Sequence, residues 1–178
     1  MSRRKSSAIP GAMLAALLAM LALGTAVSAQ APDAIADPYA AAASHAGVAL
    51  ELVVAIAGAE SGYHPWALDV DGHQVYCRSR EEAEQMLATL SDDANVDIGL
   101  MQINLRFWGH RLGVTKFDLL EPRTNLAFGA QILRQGLVRH GTIWRRISNY
   151  HSGSKAERER YNQQVYSIYQ QYLRGEIR

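Results

Sequence analysis

The chain has 178 residues, 48% of them hydrophobic and 20% charged, with 18 Lys and Arg against 17 Asp and Glu. This composition is ordinary for a soluble globular protein, and the length allows one domain with a real core that needs neither disulfides nor metal. Such a balanced charge gives no reason to expect a nucleic-acid partner.

The first 29 residues read as a cleavable signal peptide. Arg3, Arg4 and Lys5 form a positive start, Ala12 to Leu23 is a short apolar run, and Val27-Ser28-Ala29 offers small residues for cleavage. The run falls short of the roughly 20 apolar residues that a spanning helix needs, so cleavage after Ala29 is preferred to a retained anchor. No Cys near that point permits lipidation. Cleavage leaves 15 Lys and Arg against 17 Asp and Glu, a formal charge of −2. An anionic polymer would then have to be held by local contacts and not by bulk charge. Export places the mature protein in the periplasm.

Residues 30–44 are rich in Ala, Pro and Asp and read as a lead-in to a domain over 45–178. From Gly47 to Ala59 nearly every residue is apolar, which predicts a helix buried on most of its surface. Val53, Ile56 and Glu60 fall three and four residues apart, so Glu60 shares a face with core residues, and Ser61-Gly62 ends the helix. Two short runs flank Asp71-Gly72, a hairpin signal. Ser79 and Glu82 then form a capping-box pair ahead of Ala83, Met86, Leu87 and Leu90 at helical spacing. Residues 67–90 thus read as a hairpin and helix inserted as one excursion, with a polar loop at 91–95. Asn104 caps a short helix to Arg111. Thr124 or Asn125 starts another, with Leu126, Ala130, Leu133 and Leu137 on one face. A third runs from about Thr142 to Tyr150, and the last from Lys155 to Leu173 carries the stripe Tyr161, Val165, Ile168 and Tyr172.

Cys77 is the single cysteine, so no disulfide forms within the chain. It reads as a small residue inside a sheet in preference to a link to another chain, and nothing around it marks a nucleophile. The six histidines form no ligand pair at helical spacing, so neither a metal site nor a cofactor is expected.

The strongest chemical signal is Glu60, a carboxylic acid at the end of an apolar helix, where loss of hydration disfavours the ionised form and raises the pKa toward neutrality. Around it the chain resembles the lytic transglycosylases of the soluble, goose-lysozyme-like type. Glu60-Ser61 is followed by Pro65 and Ala67, and Gly99-Leu100-Met101-Gln102-Ile103-Asn104 matches that family's second block in full. Asn149-Tyr150-His151-Ser152-Gly153 matches its third block in Tyr and Gly only. Glu121-Pro122, Asn125, Gly129-Ala130 and Leu133 resemble its linking helix. The likeness covers roughly residues 44–172. The departures are the longer stretch between Glu60 and Gly99, and Asn149 and His151 beside Tyr150.

The resemblance implies a mainly α, lysozyme-like α+β fold, with a helical core and the hairpin-helix insertion. It implies a lyase cutting the β-1,4 bond between N-acetylmuramic acid and N-acetylglucosamine in peptidoglycan. Glu60 would be acid and then base, and the product a 1,6-anhydro sugar. Ser61, Met101, Gln102, Asn104, Tyr150 and Tyr161 would be substrate-binding or supporting residues. Most glycosidases use two carboxylates. Only Asp97 stands beside a motif here, and it reads first as a hydrogen-bonding loop residue. A hydrolytic muramidase with Asp97 placing a water, and a wall-binding assembly factor without turnover, are the alternatives. Small members of the family serve secretion, conjugation or pilus systems, so such a complex is an expected partner of an otherwise monomeric protein.

Overall fold

The computed structural model describes residues 37–139 and 154–177. The helix expected at 142–150, with Tyr150 and His151, lies outside the described residues.

Helix α1 (Pro38–Ala46) starts where Pro38 occupies the first turn and the Asp37 carboxylate accepts the Tyr39 N–H at 3.0 Å. It ends at Gly47, whose φ of 66° turns the chain into α2 (Leu50–Ser61). Residues 38–44 of the expected lead-in are therefore helical and packed on the domain. Four alanines in succession leave no polar-apolar alternation to announce such a helix, yet Ala42 and Ala43 are buried in the core. Helix α2 begins three residues after Gly47 and ends at Ser61 with Gly62 as its cap, as expected. Six consecutive residues, Leu52 to Ala57, are buried, so it is enclosed nearly all round.

Strands β1 (Ala67–Val70) and β2 (His73–Tyr76) form the expected hairpin, with positive φ at both Asp71 (51°) and Gly72 (86°). Helix α3 (Arg80–Ala88) follows. The Ser79 hydroxyl caps it by accepting the Glu82 N–H at 3.3 Å, while the Glu82 carboxylate takes the N–H of Arg78, one residue before the cap. The hairpin is no detached excursion. β1 also pairs antiparallel with β3 (Val96–Ile98), and β3 with β4 (Ile103–Asn104), giving a four-stranded sheet in the order β2-β1-β3-β4. Strands of three and two residues are too short to show a period in sequence. One sheet face is apolar: Leu68, Ile98 and Ile103 are paired in register and buried. Cys77 lies just past β2, buried in the same core.

Helix α4 (Leu105–Leu112) is capped by Asn104, as expected. After a 3-10 turn (Asp118–Leu120), α5 (Pro122–Arg139) begins two residues before Thr124, because Pro is well suited to a first helical turn. Asn125 is thereby a buried cross-link and not a cap. Its Oδ1 accepts the Met101 N–H at 2.8 Å, and its Nδ2 donates to Ile98 O at 2.8 Å and Leu119 O at 2.9 Å. Helix α6 (Lys155–Leu173) has a full capping box between Ser154 and Glu157 and packs Tyr161 and Val165 into the core beside α2. The fold is the mainly α, lysozyme-like α+β arrangement, with the small sheet set against a helical core.

Candidate active site

Glu60 occupies the last turn of α2, where the backbone carbonyls have no partners within the helix. Two side-chain amides reach toward them from different elements. Gln164 of α6 donates to Ala59 O at 3.3 Å, and Gln74 of β2 lies 3.5 Å from Glu60 O. The Glu60 carboxyl is itself held: the Tyr161 hydroxyl donates to Oε1 at 2.6 Å. Burial pushes the Glu60 pKa up, the Tyr161 bond opposes that, and the charge of Asp97 adds to it, leaving the group at about 7.

Glu60 opens on a cleft of about 610 Å³. The end of α2 and α6 form one wall, the latter through Glu157, Arg160, Tyr161 and Gln164. The polar face of the sheet forms the other. Register pairing sets Gln74, Asp69, Asp97 and Asn104 opposite one another across all four strands, and the first three line the cleft. Asp69 and Asp97 therefore face each other directly across the two strands. Each is tethered, Asp69 by the Gly72 N–H at 2.7 Å and Asp97 by Asn104 Nδ2 at 2.8 Å.

Gln102 completes the cleft at the turn after β3, with φ of 43°, a conformation few residues other than Gly adopt. Its Nε2 donates to Gly99 O at 2.8 Å and Ala67 O at 3.1 Å. Both amide hydrogens are used, so Gln102 offers a ligand only its carbonyl oxygen, an acceptor. The site thus combines one carboxyl that can exist in either protonation state near neutral pH with acceptors and further carboxylates along a groove.

A family model, the transglycosylase SLT domain, matches residues 37–172. The chain belongs to that family. Peptidoglycan is accordingly its substrate, and lytic transglycosylation its activity in general terms. Among curated proteins and among solved structures, comparison finds no match.

Within this SLT domain the sequence-predicted residues divide. Glu60, Gln102 and Tyr161 meet at the cleft. Ser61 does not reach it: it is 1% exposed, and its hydroxyl lies 2.9 Å from Leu100 O and 3.0 Å from Ala57 O, where its single hydrogen ties α2 to the Gly99–Gln102 turn. Met101 is not a groove residue either. It is fully buried against α5, so close to Gly129 that a Cβ there would stand 2.5 Å from Met101 Cγ. Asn104 acts through Asp97, which it bonds, and through α4, which it caps at Phe107 N. Tyr150 lies outside the described residues. Sequence reasoning missed Asp69, Gln74, Arg160 and Gln164. The alternation Asp69-Val70 in β1 and Gln74-Val75 in β2 marked a polar face, but not what that face lines.

Proposed function

We propose that Glu60 is the single catalytic acid/base, and that the product carries a 1,6-anhydro-muramic end. The observation that carries this reading is the Glu60 carboxyl, poised at about 7 and held through Oε1 by Tyr161 on the wall of an extended cleft. Oε2 then delivers a proton to the glycosidic oxygen leaving N-acetylglucosamine. The 2-acetamido group of the substrate helps to stabilise the charge developing at muramic acid. The Glu60 carboxylate next accepts the proton of the muramic C6 hydroxyl as that oxygen attacks the anomeric carbon, and Tyr161 supports the carboxylate at this stage. Ring closure is favoured because nucleophile and electrophile belong to one sugar. Gln102 Oε1, the acceptor left free of the loop bonds, suits the N–H of an acetamido group.

A second reading is hydrolysis, favoured by Asp97, whose place in the same cleft would let it orient a water. Mass spectrometry of digested walls separates the two. Anhydro ends support ring closure, and reducing ends support the water.

The reading extends to location and role. The charged, apolar and small-residue segments of residues 1–29 support export to the periplasm, and N-terminal sequencing of the secreted protein beginning at Gln30 is the expected result. Likeness to small members that serve secretion, conjugation or pilus systems supports local opening of the wall for an envelope-spanning machine. Co-purification with such a complex from crosslinked cells tests that role.

A further inference from the structure

The polar row of the sheet continues past the cleft. Asn104, opposite Asp97, also lines a second depression of about 590 Å³ over α4, together with Asn95, Arg106, Phe107, His110 and Arg111. Two guanidinium groups and an imidazole border it, and none of these lining residues carries a carboxylate. The cations are positioned. Arg111 Cζ lies 3.8 Å from the centroid of the Phe107 ring, and its Nη1 donates to Phe107 O at 2.5 Å. Arg106 is anchored through Nε to Asp93 O at 2.9 Å, and the Asp93 carboxylate interacts with its charge from the rim of the depression. Phe107 remains 54% exposed beside them, so an apolar surface adjoins the charge. A guanidinium already held by stacking and hydrogen bonds loses less freedom on binding an anion, and its fork matches a carboxylate.

We propose that this depression binds a carboxylate borne on the muramic side chain of the wall strand seated in the cleft, an inference that rests on the cleft being the peptidoglycan groove. Neighbouring strands are about 4.8 Å apart, so Asn104 is one strand spacing from Asp97, and a substituent on a sugar over Asp97 comes within reach of α4. The near-neutral chain offers no bulk attraction to an anionic polymer, and the α4 arginines add a local one beyond Arg160 in the cleft itself. Two arginines on one short helix suit a single carboxylate better than a nucleic acid, whose binding draws on many phosphate contacts. The carboxylate comes from one of two sources, the stem peptide or the bare lactyl group.

The test is an NMR titration of full-length protein carrying Glu60→Gln, which prevents digestion. Its arms are free stem peptide, the same peptide with its carboxylates amidated, peptide-stripped glycan bearing lactyl groups, and a short DNA duplex. Resonances of Arg106, Phe107 and Arg111 should move with the free-acid peptide, or with stripped glycan if the lactyl group is the source, and not with the amide. The double variant R106Q/R111Q should weaken that binding about tenfold, since exposed ion pairs contribute a few-fold each. Both side chains are exposed, and an otherwise unchanged spectrum shows that the fold survives. The proposal is overturned if neither acid moves α4, if the amide moves it equally, or if only DNA does. Cleavage persisting in Glu60→Gln would instead overturn the reading of the cleft, and that outcome does not depend on α4.

Discussion

The Tyr161 hydroxyl donates a 2.6 Å hydrogen bond to Glu60 Oε1, joining two residues 101 positions apart in the chain. The bond opposes the effect of burial on Glu60, because it favours the carboxylate. Tyr161→Phe therefore raises the Glu60 pKa above about 7, and the alkaline limb of the pH–rate profile moves up with it. A hydrogen bond to a charged group is worth about 1.5–3 kcal/mol, so kcat should fall by roughly ten- to a hundredfold. A pH profile of wall digestion checks both. An unmoved limb with normal kcat contradicts the role.

Glu60 also links stability to pH. Its folded pKa of about 7 stands above its ordinary 4.5, so between those values the folded state binds the extra proton. Below 4.5 the acid is neutral in both states and costs nothing. Stability falls as pH rises from there, and above 7 the penalty is complete, on the order of 3 kcal/mol at most. Glu60→Gln removes the penalty. The variant should match wild type in urea near pH 4.5 and exceed it at pH 8, while losing activity. Equal midpoints at pH 8 would show that the carboxyl is better hydrated than its position implies.

Asp97 acts on Glu60 through its charge. Asp97→Asn keeps a carbonyl oxygen for the bond from Asn104 but removes that charge, so the Glu60 pKa and the alkaline limb move down. The direction is opposite to that of Tyr161→Phe. Under ring closure the anhydro product persists. Loss of turnover with an unshifted limb would favour a water-placing role for Asp97.

Glu60 was legible as a site because its helix is apolar and its downstream blocks follow in order, features that survive in one dimension. Asn104 showed its cap and Lys155 to Leu173 its stripe for the same reason. What one dimension hid were relationships between elements. Nothing in the sequence pairs Tyr161 with Glu60, or sets Asp69 opposite Asp97, because β3 and β4 are too short to show a repeating pattern. Ser61 and Met101 sit within the matching blocks, yet they serve the scaffold: both are buried, one bonded to backbone carbonyls and the other packed on Gly129. A motif shows that its residues are needed together, not which of them face the ligand.

Asn125 is the clearest case of scaffold supporting site. Its three buried bonds tie Ile98 and Met101, on the approach to Gln102, to Leu119 of the 3-10 turn. Asn125→Ala leaves one N–H and two carbonyls without that partner, at about 1–3 kcal/mol each when orphaned. A loss of at least about 3 kcal/mol in denaturant unfolding is expected, with a rise in KM as the Gln102 turn loosens. A loss below about 1 kcal/mol would contradict the assignment.

The central claim is that one carboxyl, Glu60, performs both proton transfers. Its most direct test is mass spectrometry of wall digests by wild type and Glu60→Gln, with release of each fragment followed in time. Wild type should yield 1,6-anhydro-ended fragments, and the variant should release them at least about a hundredfold more slowly, as removal of a general acid/base demands. Anhydro fragments released by Glu60→Gln at the wild-type rate would contradict the claim.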